Sequence, residues 1–191
     1  MIKAIIFDFH GVVFGIGTWA TYTLAGGDPC ADAEYIDSVL DDLDGGKITT
    51  GEYDRRISKK LGIDLALWKE LNEKNEVPKV EVLSYIEQEL MPKYKIGLIS
   101  NANAGKVKNN LSKQQFEMFD CVIVSAEVGM LKPDPEIFRY GAKTLGVKPE
   151  ECIFIDDHEP FLSGAKEIGM KTILYKDFES FKTQIESMIN D

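Results

Sequence analysis

The chain is short of positive charge. Lys and Arg together number 22 against 32 Asp and Glu, which leaves a net charge of −10. No run of Lys or Arg forms a basic patch. An acidic surface repels nucleic-acid phosphates and anionic lipid headgroups, so neither is expected as a partner. Cysteine is also scarce: Cys30, Cys121 and Cys152 lie far apart, with no Cys-x-x-Cys pair and no metal-type spacing. Cys121 and Cys152 fall inside apolar runs and read as small buried hydrophobes. An odd count without a disulfide framework fits a reducing, cytoplasmic compartment. No stretch approaches the ~18 consecutive apolar residues of a membrane span. The apolar run at the start is short and broken by Asp8, unlike a signal peptide. Repeats and low-complexity linkers are absent.

What is present is a globular composition. Of 191 residues, 44% are hydrophobic and 28% charged, enough for a real core and for one domain with a sizeable insertion. Five short runs, at 2–7, 95–99, 121–125, 152–155 and 171–175, are rich in Ile, Val and Phe and nearly continuous in apolar character. Strands buried on both faces of a parallel sheet read this way.

Helical patterns alternate with the later runs. One is expected at 103–112, carrying Ala104, Val107 and Leu111. Another starts at Pro135, with Asp134 as N-cap and Gly146 as C-terminal stop. Helices near 160–168 and 178–189 follow. Strand, helix, strand, helix implies right-handed crossovers and an α/β, Rossmann-like doubly wound parallel sheet of about five strands. The stretch from about 15 to 88 breaks this rhythm. Tyr35, Val39 and Leu43 repeat at helical spacing, and Thr49-x-x-Glu52 resembles a capping box ahead of Tyr53, Ile57 and Leu61. Asp64 can cap a helix with Leu67, Trp68 and Leu71, and Pro78 opens one with Val82, Leu83 and Ile86. The expected division is a core of 1–14 plus 89–191 and a small helical cap of 15–88.

Open α/β sheets bind ligands beyond the carboxyl ends of their strands. The polar residues there are Asp8 and His10 after the first strand, Ser100 and Asn101 after the second, Lys132 beyond the third, and Asp156 and Asp157 after the fourth. These groups suit one anion and one metal ion.

Four segments carry a family resemblance. Asp8-Phe9-His10-Gly11-Val12-Val13 resembles the first motif of the haloacid dehalogenase superfamily, and Leu98-Ile99-Ser100-Asn101 resembles its second. The segment from Gly129 through Lys132-Pro133-Asp134-Pro135 to Phe138 is similar to the third. Phe154-Ile155-Asp156-Asp157, with Gly164-Ala165 and Gly169-Met170, is similar to the fourth. They occur in the family's order and span the core to about residue 175. The resemblance implies a Mg²⁺-dependent phosphatase acting on a small phosphorylated metabolite. Asp8 would attack phosphorus and form an aspartyl-phosphate, splitting one hard step into two. Asp8, the His10 backbone carbonyl, Asp156 and Asp157 would hold the ion through hard oxygen ligands. Ser100, Asn101 and Lys132 would hold the phosphate, Asn101 through an N–H at the opening of a helix.

Two departures matter. Phosphatases of this family usually carry a second Asp where His10 stands, as the acid and base of the reaction. An imidazole can exchange protons near neutral pH, or it can leave a weakly active or inactive relative that binds a phosphorylated ligand. A metal-free 2-haloacid dehalogenase is disfavoured by the paired acids, and no local motif singles out a cap lysine for phosphonate hydrolysis. The second departure is Phe161, where many relatives have Asn. His158 reads as a surface loop residue, and Trp19 and Trp68 as cap core or lid lining.

Overall fold

A computed structural model describes residues 1–190. Five strands, β1 (Ala4–Phe7), β2 (Lys95–Ser100), β3 (Cys121–Val124), β4 (Cys152–Asp156) and β5 (Lys171–Leu174), form one sheet in the order β3-β2-β1-β4-β5. Every pairing is parallel; Ile6, for example, lies between Gly97 and Phe154. The Rossmann-like α/β expectation therefore holds. The continuous apolar runs have their cause in alternation across two covered faces. Ile5, Phe7, Leu98 and Ile155 join one buried cluster, with Phe181 and Ile185 of α11 (Phe178–Asn190). Ala4, Ile6, Ile99 and Phe154 join the other, with Ile137, Phe138, Ala142 and Leu145 of α9 (Pro135–Leu145). Asp134 caps α9 by accepting from the Glu136 N–H, and Gly146 ends it.

Between β1 and β2 come α1 (Thr18–Leu24), α2 (Pro29–Asp44), α3 (Thr50–Leu61), α4 (Leu65–Asn75) and α5 (Val80–Tyr85), the last running into a π-helical turn at Ile86–Leu90. The first four share a core of their own around Tyr22, Ile36, Val39, Tyr53, Ile57 and Trp68. In α2 the expected stripe holds at Val39 and Leu43, which join or pack on this core, but Ile36 is buried in place of Tyr35, which is exposed with its hydroxyl reaching the Arg56 carbonyl. In α4, Trp68 is buried as expected, whereas Leu67 is exposed. Thr49 caps α3, but Glu52 gives its carboxylate to Arg55 and Arg56 instead of closing a box. The residues expected after Pro78 do not pack with these helices. Val82, Leu83 and Ile86 join the sheet's cluster, because the chain has already returned to the core. It does so where Val77–Lys79 zips against Val13–Gly15, with Gly15 N–H donating to the Val77 carbonyl and Lys79 N–H to that of Val13.

Beyond β2 the expected helix at 103–112 shrinks to α6 (Lys106–Asn110), since Gly105 sits at φ 75° just ahead of it. Then come α7 (Lys113–Phe116) and, after β3, α8 (Ser125–Val128). A 3₁₀ turn at Glu159–Phe161 leads into α10 (Leu162–Glu167). Among the described residues no helix is long and apolar enough to cross a membrane.

Helix α10 sets the loop that carries Lys132. Gly164 lies so close to that loop that a Cβ would overlap the Pro133 carbonyl oxygen and press on the Phe138 ring. Gly164→Ala is therefore expected to destabilise the protein by about 1–3 kcal/mol through overpacking, read as a drop in the denaturant midpoint. An unchanged midpoint would mean the loop yields freely.

Candidate active site

The carboxyl ends of β1 and β4 bring Asp8 and Asp156 side by side, because β1 and β4 pair in register up to Phe7 and Ile155. Between them stands Lys132. Its Nζ donates to Asp8 Oδ1 at 2.7 Å and to Asp156 Oδ2 at 2.6 Å, and the lysine side chain is 1% exposed. Ligand atoms of Asp8, Asp156 and Asp157 all lie within 4.8 Å of one another. The His158 N–H donates to Asp156 Oδ1. Asp157 packs on Gly11, whose positive φ of 82° and missing Cβ leave room for that carboxylate.

Asn101 holds the lysine from behind. Its Oδ1 accepts from the Lys132 N–H at 2.8 Å and its Nδ2 donates to the Lys132 carbonyl at 3.0 Å. The expected N–H at a helix start is not its setting, because α6 begins only at Lys106. Ser100 is buried, and its Oγ has no hydrogen-bond partner among the described residues. Such an orphaned hydroxyl is costly unless something meets it.

His10 is half-buried in the same wall, with ring edges against Phe9 and Phe14. Burial, then the charges of Lys106 and Lys132, push its imidazole down to about 3. Burial raises the Asp8 carboxyl well above its usual range, with Lys132 opposing and Asp156 and Asp157 adding to the rise. Burial and Asp156 likewise raise Asp157 to about 7, against Lys132 and Lys79. Burial works against the Lys132 ammonium, but Asp156 and Asp8 more than offset it, so the lysine stays charged.

Asp8, His10, Asn101, Lys132 and Asp157 face a cavity of about 600 Å³ between the sheet and α1–α4, a size suited to a small ligand. Residues not anticipated line it. His158, expected on the surface, stacks on Trp19 at 5.9 Å and meets Phe161 edge-on at 4.6 Å. Phe161 in turn lies 4.8 Å from Lys132 Nζ, where its ring face favours the cation. Lys106 pairs with Glu76 at 3.2 Å across the opening between core and cap. Outside the cavity lining, Lys79 donates to the Gly11 carbonyl and lies over the Tyr175 ring. Trp19, as an aromatic in the insertion, and Phe161, as a departure from the family pattern, carried a signal in sequence; the others depend on contacts between distant segments.

The chain has counterparts among known proteins. The profile of the haloacid dehalogenase-like hydrolases matches residues 49–175. The chain belongs to that family. It is 27% identical to the D-ribitol-5-phosphate phosphatase of Bacteroides thetaiotaomicron, over the full length of both chains. A 70-residue segment, 37% of this chain but 13% of the relative, is 41% identical to the bifunctional epoxide hydrolase 2 of Rattus norvegicus. A solved HAD family enzyme of Bacteroides thetaiotaomicron, in complex with magnesium and inorganic phosphate, superposes with a TM-score of 0.62 at 25% identity. That match covers 92% of this chain and 95% of the other.

A raised carboxyl makes the metal-free fold bind more protons than the unfolded chain. Stability is then present at low pH and lost as pH rises through the folded value. For Asp157 that loss is complete only above about 7. In chelator the thermal midpoint is expected to fall between pH 5.5 and 8, and to fall less in Asp157→Asn. Equal slopes would contradict the burial of this carboxylate.

Proposed function

We propose that this protein is a Mg²⁺-dependent phosphatase that hydrolyses a small phosphorylated metabolite through a phospho-aspartate on Asp8. The observation that carries the reading is Lys132 bridging Asp8 and Asp156, with Asp157 alongside, at the floor of the cavity beneath the cap helices. The donor set fits a hard divalent cation: three carboxylates lie within reach of one ion, and the family pattern would add the His10 backbone carbonyl. When bound there, Mg²⁺ would neutralise the phosphate and the attacking carboxylate, which otherwise repel each other. The phosphatase relative and the neighbour that binds magnesium and phosphate support the same reading.

Asp8 has one oxygen on Lys132 and the other free to form a bond to phosphorus as the ester P–O bond breaks. Lys132 and the orphaned Ser100 hydroxyl would take phosphate oxygens, with Asn101 keeping Lys132 in place. Water then cleaves the acyl phosphate and restores Asp8. His10 occupies the acid/base position of the family pattern. As a neutral imidazole it brings no spare proton for the leaving oxygen, so turnover is expected to be slow. That feature also favours a second reading, a relative that binds a phosphorylated ligand with weak or no catalysis.

Steady-state assays on a panel of phosphate esters, with and without Mg²⁺, separate the two. Under the phosphatase reading, turnover needs Mg²⁺ and falls by about 10³-fold or more in Asp8→Asn or Lys132→Met. No turnover on any ester, with activity gained in His10→Asp, would establish the binding relative instead. Halide release without metal would sink both.

A further inference from the structure

The cap side of the cavity holds a second polar feature that the phosphate chemistry does not use. Asp54, on α3, lines the cavity yet is only 8% exposed. Its Oδ1 accepts from Trp68 Nε1 at 3.1 Å, and Trp68 is fully buried on α4. No lysine or arginine forms an ion pair with Asp54, and its Oδ2 takes no hydrogen bond among the described residues. A carboxylate buried this far is costly unless its oxygens find donors. Here the fold fixes the group with one hydrogen bond and leaves the other oxygen for whatever enters. Nearby on the same wall, Asp37 and Glu73 also lack ion-pair partners among the described residues, while Lys106 is already taken by Glu76. The floor is thus an anion site, and the roof presents the carboxylates of Asp54, Asp37 and Glu73, with Lys69 of α4 also lining it and acting on Asp54. A ligand with negative charge at both ends would meet carboxylates in a poorly solvated wall.

We propose that Asp54, oriented by Trp68, is a specificity-determining acceptor for a hydroxyl or ammonium at the phosphate-free end of the substrate. The site then takes single-phosphate esters whose far end is rich in hydrogen-bond donors, and rejects those with a second anionic group. This rests on the phosphate-ester reading of the floor.

Calorimetric titration tests it on full-length, Mg²⁺-loaded protein in an Asp8→Asn background, which stops transfer and reads binding alone. The probes are inorganic phosphate, a sugar-alcohol phosphate, an aminoalkyl phosphate and a phosphorylated sugar acid. Expected is binding of the acid ester about tenfold or more weaker than of the sugar-alcohol ester. Asp54→Leu should weaken the sugar-alcohol and aminoalkyl esters by about tenfold and leave inorganic phosphate unchanged. Asp54→Asn keeps an oxygen acceptor and loses the charge. It should spare a hydroxyl donor, weaken an ammonium donor and narrow the gap to the acid ester. That variant also keeps the test open if the Leu variant unfolds. Equal losses for phosphate and esters, or an acid ester bound as tightly as the neutral one, would overturn the role of Asp54. Failure of inorganic phosphate itself to bind would remove the phosphate-ester reading, and this inference with it.

Discussion

One buried ammonium holds the site together. Lys132 lies between Asp8 and Asp156, nearly without solvent contact. Taking one of these charges out of water alone would cost several kcal/mol, and the arrangement is tolerable only because each group has the others. The lysine cannot leave without stranding two carboxylates from two different strands. Much of the surrounding structure follows from keeping it there. Asn101 at the end of β2 clamps its backbone on both sides, Gly164 of α10 gives its loop room to approach, and Phe161 covers it with a ring face. Elements following β1, β2, β3 and β4 thus converge on a single side chain.

That convergence also leaves an excess of negative charge. Lys132 offsets one of the three carboxylate charges, and Asp157, raised by burial and by Asp156, makes no ion pair with it among the described residues. A divalent cation held by oxygen ligands would offset the remaining two and help draw in a phosphate. On this account the metal and the anion are consequences of the same charge arithmetic. The paired acids after β4 are in this sense an incomplete set of ligands.

The sheet was legible in the sequence because its inner strands are covered on both faces and read as nearly unbroken apolar runs; β5, with Lys171 exposed, keeps only Ile173 buried. Strand order explains why the end-of-strand residues Asp8, Ser100, Asn101, Asp156 and Asp157 could be collected before any contact was known. The cap was less legible. Its helices are partly solvated, so the edges of an apolar stripe are easily misjudged: Val39 and Trp68 are buried as expected, but Tyr35 and Leu67 face solvent and Ile36 is buried instead of Tyr35. Contacts between remote segments left no trace at all. Lys79 reaches Gly11 across 68 positions, and His158 gains its burial from Trp19 on a helix far away in sequence. Asn101 shows a subtler limit. Its place near the site could be expected, but its work as a clamp on Lys132 depends on Gly105 delaying the next helix.

The central claim is that Asp8 carries the phosphoryl group during turnover. Acid quenching of the Mg²⁺-loaded protein in the presence of a turned-over ester, followed by peptide mapping, tests this directly. The account predicts a phosphorylated peptide with the modification on Asp8, absent in Asp8→Asn. Turnover that proceeds with no label on Asp8, or with the label on another residue, would contradict it.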